Sequence, residues 1–542
     1  MKKVRFRKSE NGLDLWFQAG LFLRISYFRE SEIMEFCFYQ HFFCNHLIPG
    51  NMNMLKKSLL LFITLFSISE TVLQAQGGYK IKIRIDELPN QDVILGHHFS
   101  ASLFPDDTIT LNDKGEGIFK GIEPLTGGMY FVFLPNKKYF DILVGEDQEF
   151  TIENDTVNFI DNFQSSGSLE NELFYKYQRF LQERRRETNL VRQKIESGTG
   201  AESMKLQDQL EDINKAVSAY QEKVIREYPE TFFATFLTAL KEIDVPEPPI
   251  HPEGNIIDSL FQYNYYKAHY FDNFDLSDPR LLRTPLYENK LKTYIEKVVP
   301  QIPDSIIVYA DKLIESSRGD EQTFRYVLGS IYNHFGSSQI MGMDAVFVHV
   351  AEKYYIPEAT WSDSAFIAKL KTEVAKKKPL LLGKVAPDVQ LVEIPADHFK
   401  EAADNKELAK DPYVGSYVQL HDIKAKFLIV VFWEADCGHC KKSLPVLYET
   451  AQKLKDQGVK LLSIHMLGGG EGKEKWTEFL DEHQFYNMIH AWNPYDYTYK
   501  KKFDVYSSPT IFILDEEKRI VAKRIGAEQV EEIISVYSKK QF

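Results

Sequence analysis

The feature that most constrains this chain is a pair of cysteines at a strand-to-helix junction. Phe427-Leu428-Ile429-Val430-Val431-Phe432 is a continuous apolar run, the pattern of a strand covered on both faces. Trp433-Glu434-Ala435-Asp436-Cys437-Gly438-His439-Cys440 follows at once, and then a helical stretch. The strand thus delivers the first cysteine to a helix N-terminus, where backbone N–H groups and the helix dipole stabilise a thiolate. Two intervening residues, Gly438 and His439, place both sulfurs on one helical turn, within disulfide reach. This order predicts Cys437 as the exposed nucleophile. Cys440, one turn inside, is then the thiol that resolves a mixed disulfide. His439 can stabilise the thiolate electrostatically. Pro445 removes a helical N–H and is expected to kink the helix. Further apolar runs at residues 459–464 and 510–514, with helical stretches between, give a βαβ pattern closed by a hairpin and a last helix.

Cysteine usage sharpens this. The chain has 542 residues and four cysteines: Cys37, Cys44, Cys437 and Cys440. Lys56-Lys57, an apolar run of about ten residues and the small residue Ala75 have the layout of a secretion signal. The run is too short to cross a bilayer comfortably. We therefore expect a signal peptide over 52–75, starting near Met52 or Met54, and a periplasmic or cell-envelope location. Residues 1–51, with clustered Phe36, Phe38, Tyr39, Phe42 and Phe43, read as an upstream segment translated in error. The alternatives are a genuine extension with an internal anchor, or a buried core helix. No cysteine follows the apolar run, which disfavours a lipid anchor. No other long apolar run exists, so the remainder is expected to be soluble. After processing, only Cys437 and Cys440 remain in a compartment where disulfides persist. A bridge across two residues is too local to staple a fold, so the pair reads as chemical.

Length suggests about three to four domains. Residues 76–165 read as an antiparallel β domain, sandwich-like: Ile81, Ile83 and Ile85 alternate with Lys80, Lys82 and Arg84, and Asn112-Asp113-Lys114-Gly115 supplies turn chemistry. Residues 166–379 read as all-α. Ser168 is an N-cap candidate for a helix carrying Leu173, Tyr177, Phe180 and Leu181 on one face. Gly198-Thr199-Gly200 breaks it. Leu206, Leu210, Ile213, Val217 and Tyr220 mark a second helix, giving a hairpin with a coiled-coil-like seam. Arg184-Arg185-Arg186 reads as a solvated face. A proline-rich break at 246–252 precedes a helical stretch rich in Tyr and Phe, read as core. Residues 380–542 form the α/β domain that holds the cysteines.

Composition excludes several functions. A net charge of −13 argues against tracking phosphates of a nucleic acid, which requires a basic surface. Zinc at Cys437 and Cys440 would need two more soft ligands; His421 and His465 are isolated in sequence. His97-His98 are adjacent on a strand and point to opposite faces. Gly468-Gly469-Gly470-Glu471-Gly472-Lys473 lacks phosphate-loop spacing and reads as a flexible loop. No metal, cofactor or nucleic acid is called for.

Residues 380–542 resemble the thioredoxin superfamily, specifically the TlpA-like (ResA-type) thiol–disulfide proteins of bacterial envelopes. The resemblance rests on Gly383-Lys384-Val385-Ala386-Pro387-Asp388, the Phe432-Trp433 strand end, Cys437-Gly438-His439-Cys440, Ser508-Pro509-Thr510 before an apolar strand, and Gly526. It implies a thioredoxin-like fold, a redox disulfide Cys437–Cys440, and a cis-proline at Pro509 whose neighbours pair with substrate. Implied partners are cysteine-containing envelope proteins and a membrane electron-transfer partner. Residues 77–380 are similar to uncharacterised domains that precede such thioredoxin domains.

Departures from the family pattern matter. Val431 and Ser443 stand where relatives carry acids, so the group that takes the proton from Cys440 is not given by resemblance. Glu434 is a candidate, weighed against a solvent-facing loop acid. Asp436 replaces a common tryptophan, and its charge would oppose thiolate formation. The Gly-His dipeptide, seen in disulfide isomerases, argues for a less reducing centre than thioredoxin; the two potentials differ by roughly 90 mV, about 4 kcal/mol. The expected function is a periplasmic thiol–disulfide oxidoreductase acting on proteins. Its rivals are an envelope binding protein with an accessory redox domain, and a peroxidase. The peroxidase reading is weakened by Glu434, which stands where a Thr or Ser would bind peroxide.

Overall fold

The computed structural model describes residues 77–197, 200–250 and 258–540. The signal-peptide and upstream readings, Cys37, Cys44, Gly198-Thr199 and Pro252 lie outside them. Among the described residues no helix is long and apolar enough to cross a membrane.

The first region holds eight strands: β1 (Lys80–Ile85), β2 (Asp92–Phe99), β3 (Ser102–Thr110), β4 (Glu116–Lys120), β5 (Gly128–Phe133), β6 (Tyr139–Val144), β7 (Glu149–Asn154) and β8 (Gln164–Ser166). They make two four-stranded sheets, ordered β4-β1-β7-β8 and β3-β2-β5-β6. In β1 the isoleucines are buried while Lys80 and Lys82 face solvent, as the alternation requires. Inward residues of both sheets join one core. One pairing departs from the antiparallel expectation: β1 runs parallel to β7. Alternation fixes which face a residue takes, and it carries no information on strand direction. His97 meets Asp106 and His98 meets Asp141, each at 2.8 Å, so the two imidazoles have separate partners.

The middle region is helical. Helix α1 (Leu169–Ser197) starts where Ser168 Oγ accepts from the Asn171 amide. It packs on α2 (Gly200–Glu227) through Tyr220, which stacks on Phe180 at 4.6 Å. Arg185 and Arg186 are exposed, while Arg184 pairs with Glu187 at 3.0 Å and covers the Phe180 ring. Of the tyrosines and phenylalanines beyond, Tyr270, Phe274, Tyr287 and Tyr294 are buried core, whereas Tyr263, Tyr266 and Phe366 are exposed. Two helices matter below: α3 (Asp344–Val350) and α4 (Ser364–Lys377).

The last region is a seven-stranded mixed sheet flanked by helices. Its strands are β9 (Gln390–Glu393), β10 (Ser416–Gln419), β11 (Phe427–Trp433), β12 (Val459–His465), β13 (Ile489–Trp492), β14 (Thr510–Leu514) and β15 (Ile520–Lys523). The order is β10-β9-β13-β12-β11-β14-β15, with β11, β12 and β13 parallel. Every residue of β11 is buried because its two faces serve two cores. Phe427, Ile429, Val431 and Trp433 face one, with Leu444 and Leu447 of α5 (Gly438–Lys453). Leu428, Val430 and Phe432 face the other, with Tyr499 and Phe503. Residues 469–473, expected as a flexible loop, are instead the first turn of α6 (Gly469–His483). There Lys473 is fully buried, and its ammonium donates to the Asp411 carbonyl and lies 2.8 Å from His398 Nε2.

A buried ion pair ties this sheet to the helical region. Lys523 on β15 pairs with Asp344 at the start of α3 and donates to the Leu380 carbonyl at 2.5 Å. Burial holds the Lys523 ammonium below its ordinary value, and Asp344 opposes that shift. Removing one partner strands a buried charge. Asp344→Ala should therefore destabilise the protein by about 3 kcal/mol. The check is a chemical-denaturation midpoint, and an unchanged midpoint would refute the role of this pair.

Candidate active site

The site is built by β11, the turn after it, the N-terminus of α5, and the loop before β14. Cys437 is the N-cap of α5: its Sγ accepts from the Cys440 backbone N–H at 3.4 Å. This leaves the sulfur partly exposed, while Cys440 is fully buried beneath it. Both are free thiols here. Pro445 lies within α5, so the Lys441 carbonyl has no helical donor.

The second wall is Ser508-Pro509-Thr510. The Ser508–Pro509 peptide bond is cis. The Cys437 thiol donates to the Ser508 carbonyl at 3.5 Å. Ser508 Oγ donates to Glu434 Oε2 at 2.9 Å. Thr510 Oγ1 turns back to the Ser507 carbonyl at 2.7 Å. Glu434 is thus half-buried and engaged with the proline loop, and it is not a solvent-facing acid.

The two sulfurs differ electrostatically. Burial pushes the Cys437 thiol up, but hydrogen bonds from Cys440, the Ser508 side chain and the His439 backbone outweigh it and hold the thiol below its ordinary value. Burial pushes Cys440 up to about 12, and the neighbouring Cys437 adds to this. The His439 side chain is exposed beside the pair.

Lys475, Ser463 and His465, to which the sequence analysis gave no role at this site, support its expected residues. Asp436 is neutralised: Lys475 of α6 pairs with it at 3.0 Å and holds its carboxyl below the ordinary range. Its expected opposition to the thiolate is therefore blunted. Trp433 is buried and donates from Nε1 to Ser463 Oγ at 2.7 Å. His465, opposite Trp433 across the β11–β12 pair, accepts the Ala435 amide at Nε2, 3.2 Å away. It fixes the turn that carries Cys437. A histidine inside the apolar β12 run was the available signal; no sequence signal links Lys475 to Asp436.

A β-strand end delivering a cysteine pair to a helix N-terminus, faced by a cis-proline loop, defines a thioredoxin-like domain. Family comparison agrees. Residues 425–520 match the thioredoxin-like family, and residues 201–377 match a domain of unknown function (DUF5106). The chain is 29% identical over 128 residues to the thiol-disulfide oxidoreductase ResA of Bacillus cereus, covering 23% of this chain and 69% of that one. It is 24% identical over 143 residues to ResA of Bacillus subtilis, covering 26% and 75%. A solved thioredoxin-like protein from Bacteroides caccae is 17% identical, with a TM-score of 0.39, covering 55% of this chain and 99% of that one. The chain thus carries a thioredoxin-like domain similar to the TlpA/ResA-type thiol-disulfide oxidoreductases, together with additional domains.

Proposed function

We propose that this protein is a cell-envelope thiol–disulfide oxidoreductase that exchanges disulfides with protein substrates through Cys437 and Cys440. The carrying observation is the asymmetry of the pair: one thiol partly exposed, capped and lowered, the other buried and raised. In the reducing direction the Cys437 thiolate attacks a substrate disulfide. A Cys437–substrate S–S bond forms, the substrate S–S bond breaks, and the departing sulfur keeps the electron pair and takes a proton. Cys440 then loses its proton and attacks the Cys437 sulfur. The Cys437–Cys440 disulfide forms, and the second substrate thiol is released. The substrate gains two electrons and the enzyme dithiol loses two; the reverse sequence oxidises a substrate dithiol. Pro509 and its neighbours would pair with substrate backbone. A membrane electron-transfer partner would reset the pair, and the Lys56–Ala75 stretch supports an envelope location.

A thiol held at about 12 needs a base to attack at neutral pH. Glu434 and Ser508 supply a route, because the Ser508 side chain favours the charged form of both sulfurs and donates to Glu434. Glu434→Gln should slow the resolving step by roughly 100-fold, while formation of the mixed disulfide continues. Rapid-quench mass spectrometry would then show accumulated mixed disulfide; wild-type resolution kinetics would remove Glu434 from the mechanism.

The function itself is tested by equilibrating the protein with glutathione redox buffers and trapping free thiols by alkylation. One two-electron transition between dithiol and Cys437–Cys440 disulfide is expected, and its midpoint gives the favoured direction. Two thiols that never form a disulfide across the buffer range would overturn the proposal.

A further inference from the structure

The helical region reaches the redox site. A cleft of about 510 Å³ opens beside Pro509, lined by Glu373 and Lys377 of α4 together with Asp504, Tyr506, Pro509 and Arg524 of the thioredoxin-like domain. It begins one residue beyond the Ser508 carbonyl that the Cys437 thiol touches. The Lys376 ammonium lies 5.9 Å from the Tyr506 ring centroid, bridging α4 to the loop that leads into Pro509. Lys523 and Asp344 hold the two regions in register below it.

The charges of this cleft do not all pair. Glu373 is taken by Lys376 at 2.9 Å. Asp504, itself buried, is taken by Arg524 at 2.5 Å. Lys377 is half-buried in the wall and has no carboxylate partner among the described residues. A polypeptide laid beside Pro509 and reaching Cys437 would share this cleft with Lys377.

We propose that α4 forms one wall of the substrate cleft, and that Lys377 selects protein segments carrying an acidic side chain close to the reacting cysteine. The inference rests on the thiol–disulfide reading above and names its substrate class. It also gives the helical region a role in catalysis by recognition, without a chemical step of its own. Lys377 is a binding residue here, acting through charge on a substrate held by the redox site.

The test uses the full chain and two disulfide-bonded peptides that differ only in bearing Asp or Lys near the cysteine. Wild type should favour the acidic peptide in kcat/KM by roughly fivefold, the scale of a partly exposed ion pair. Lys377→Gln should bring the ratio near unity, and Lys377→Glu should invert it. Raising ionic strength from about 0.05 M to about 0.5 M should erase the wild-type preference without any substitution. A salt-sensitive ratio that follows the charge at position 377 supports the proposal. A ratio near unity in wild type, or one that Lys377→Glu leaves unchanged, overturns it while exchange through Cys437 still stands. No exchange with either peptide would instead overturn the thiol–disulfide reading, and this inference with it.

Discussion

Cys437→Ser should lose exchange with protein disulfides by roughly 10³-fold or more, down to background. Cys440 cannot stand in. It is fully buried, with its thiol raised to about 12. Cys437 is held below its ordinary value by the hydrogen bonds around it, so at neutral pH the thiolate resides on Cys437 rather than on Cys440. Limited alkylation of the reduced protein should therefore label Cys437 almost alone at pH 7. Equal labelling of the two would contradict the electrostatic asymmetry. The raised Cys440 thiol also fixes a sign. Its contribution to the stability of the reduced protein is fully present below about pH 8.5 and is lost as pH rises toward 12, because the buried sulfur resists ionisation.

The second large effect is acid destabilisation through two buried histidines. Burial pushes His465 down to about 3 and His490 down to about 4. His465 accepts the Ala435 amide, so its neutral form holds the cysteine turn. His490 packs against Phe399 and Trp476. In the unfolded chain both titrate near 6.5. Their contribution is fully present above that value and is lost as pH falls toward 4 and 3. By pH 5 each should cost about 2 kcal/mol, about 4 kcal/mol together. Urea midpoints at pH 7.5 and pH 5 would show it, and His490→Phe should remove about half of the pH dependence. A variant with the wild-type dependence would exclude burial of His490 as its cause.

The site was legible in the sequence where its chemistry is local. A strand run, a two-residue spacing and a helix start are all read from adjacent residues, so Cys437, Cys440 and Trp433 fall where expected. Pro509 and Ser508 came from resemblance, and the fold brings Ser508 to Cys437. Long-range groupings were illegible. Lys475 is 39 residues from Asp436, and nothing local marks it as a counter-charge. β9, β10 and β13 are four residues each, too short for a period to stand out. The parallel β1–β7 pair lies beyond what alternation encodes. The glycine-rich stretch at 468–473 misled because glycine signals a loop by default. Here the loop is short, and the helix begins at once with Lys473 packed inside.

The central claim is that Cys437 forms covalent mixed disulfides with protein substrates and Cys440 releases them. Its most direct test is a Cys440→Ser chain expressed in cells, isolated after acid quenching and thiol alkylation. Protein adducts joined at Cys437, discharged by reductant and absent from the Cys437→Ser/Cys440→Ser double variant, are expected. A Cys440→Ser protein recovered with Cys437 free and no adducts would contradict it.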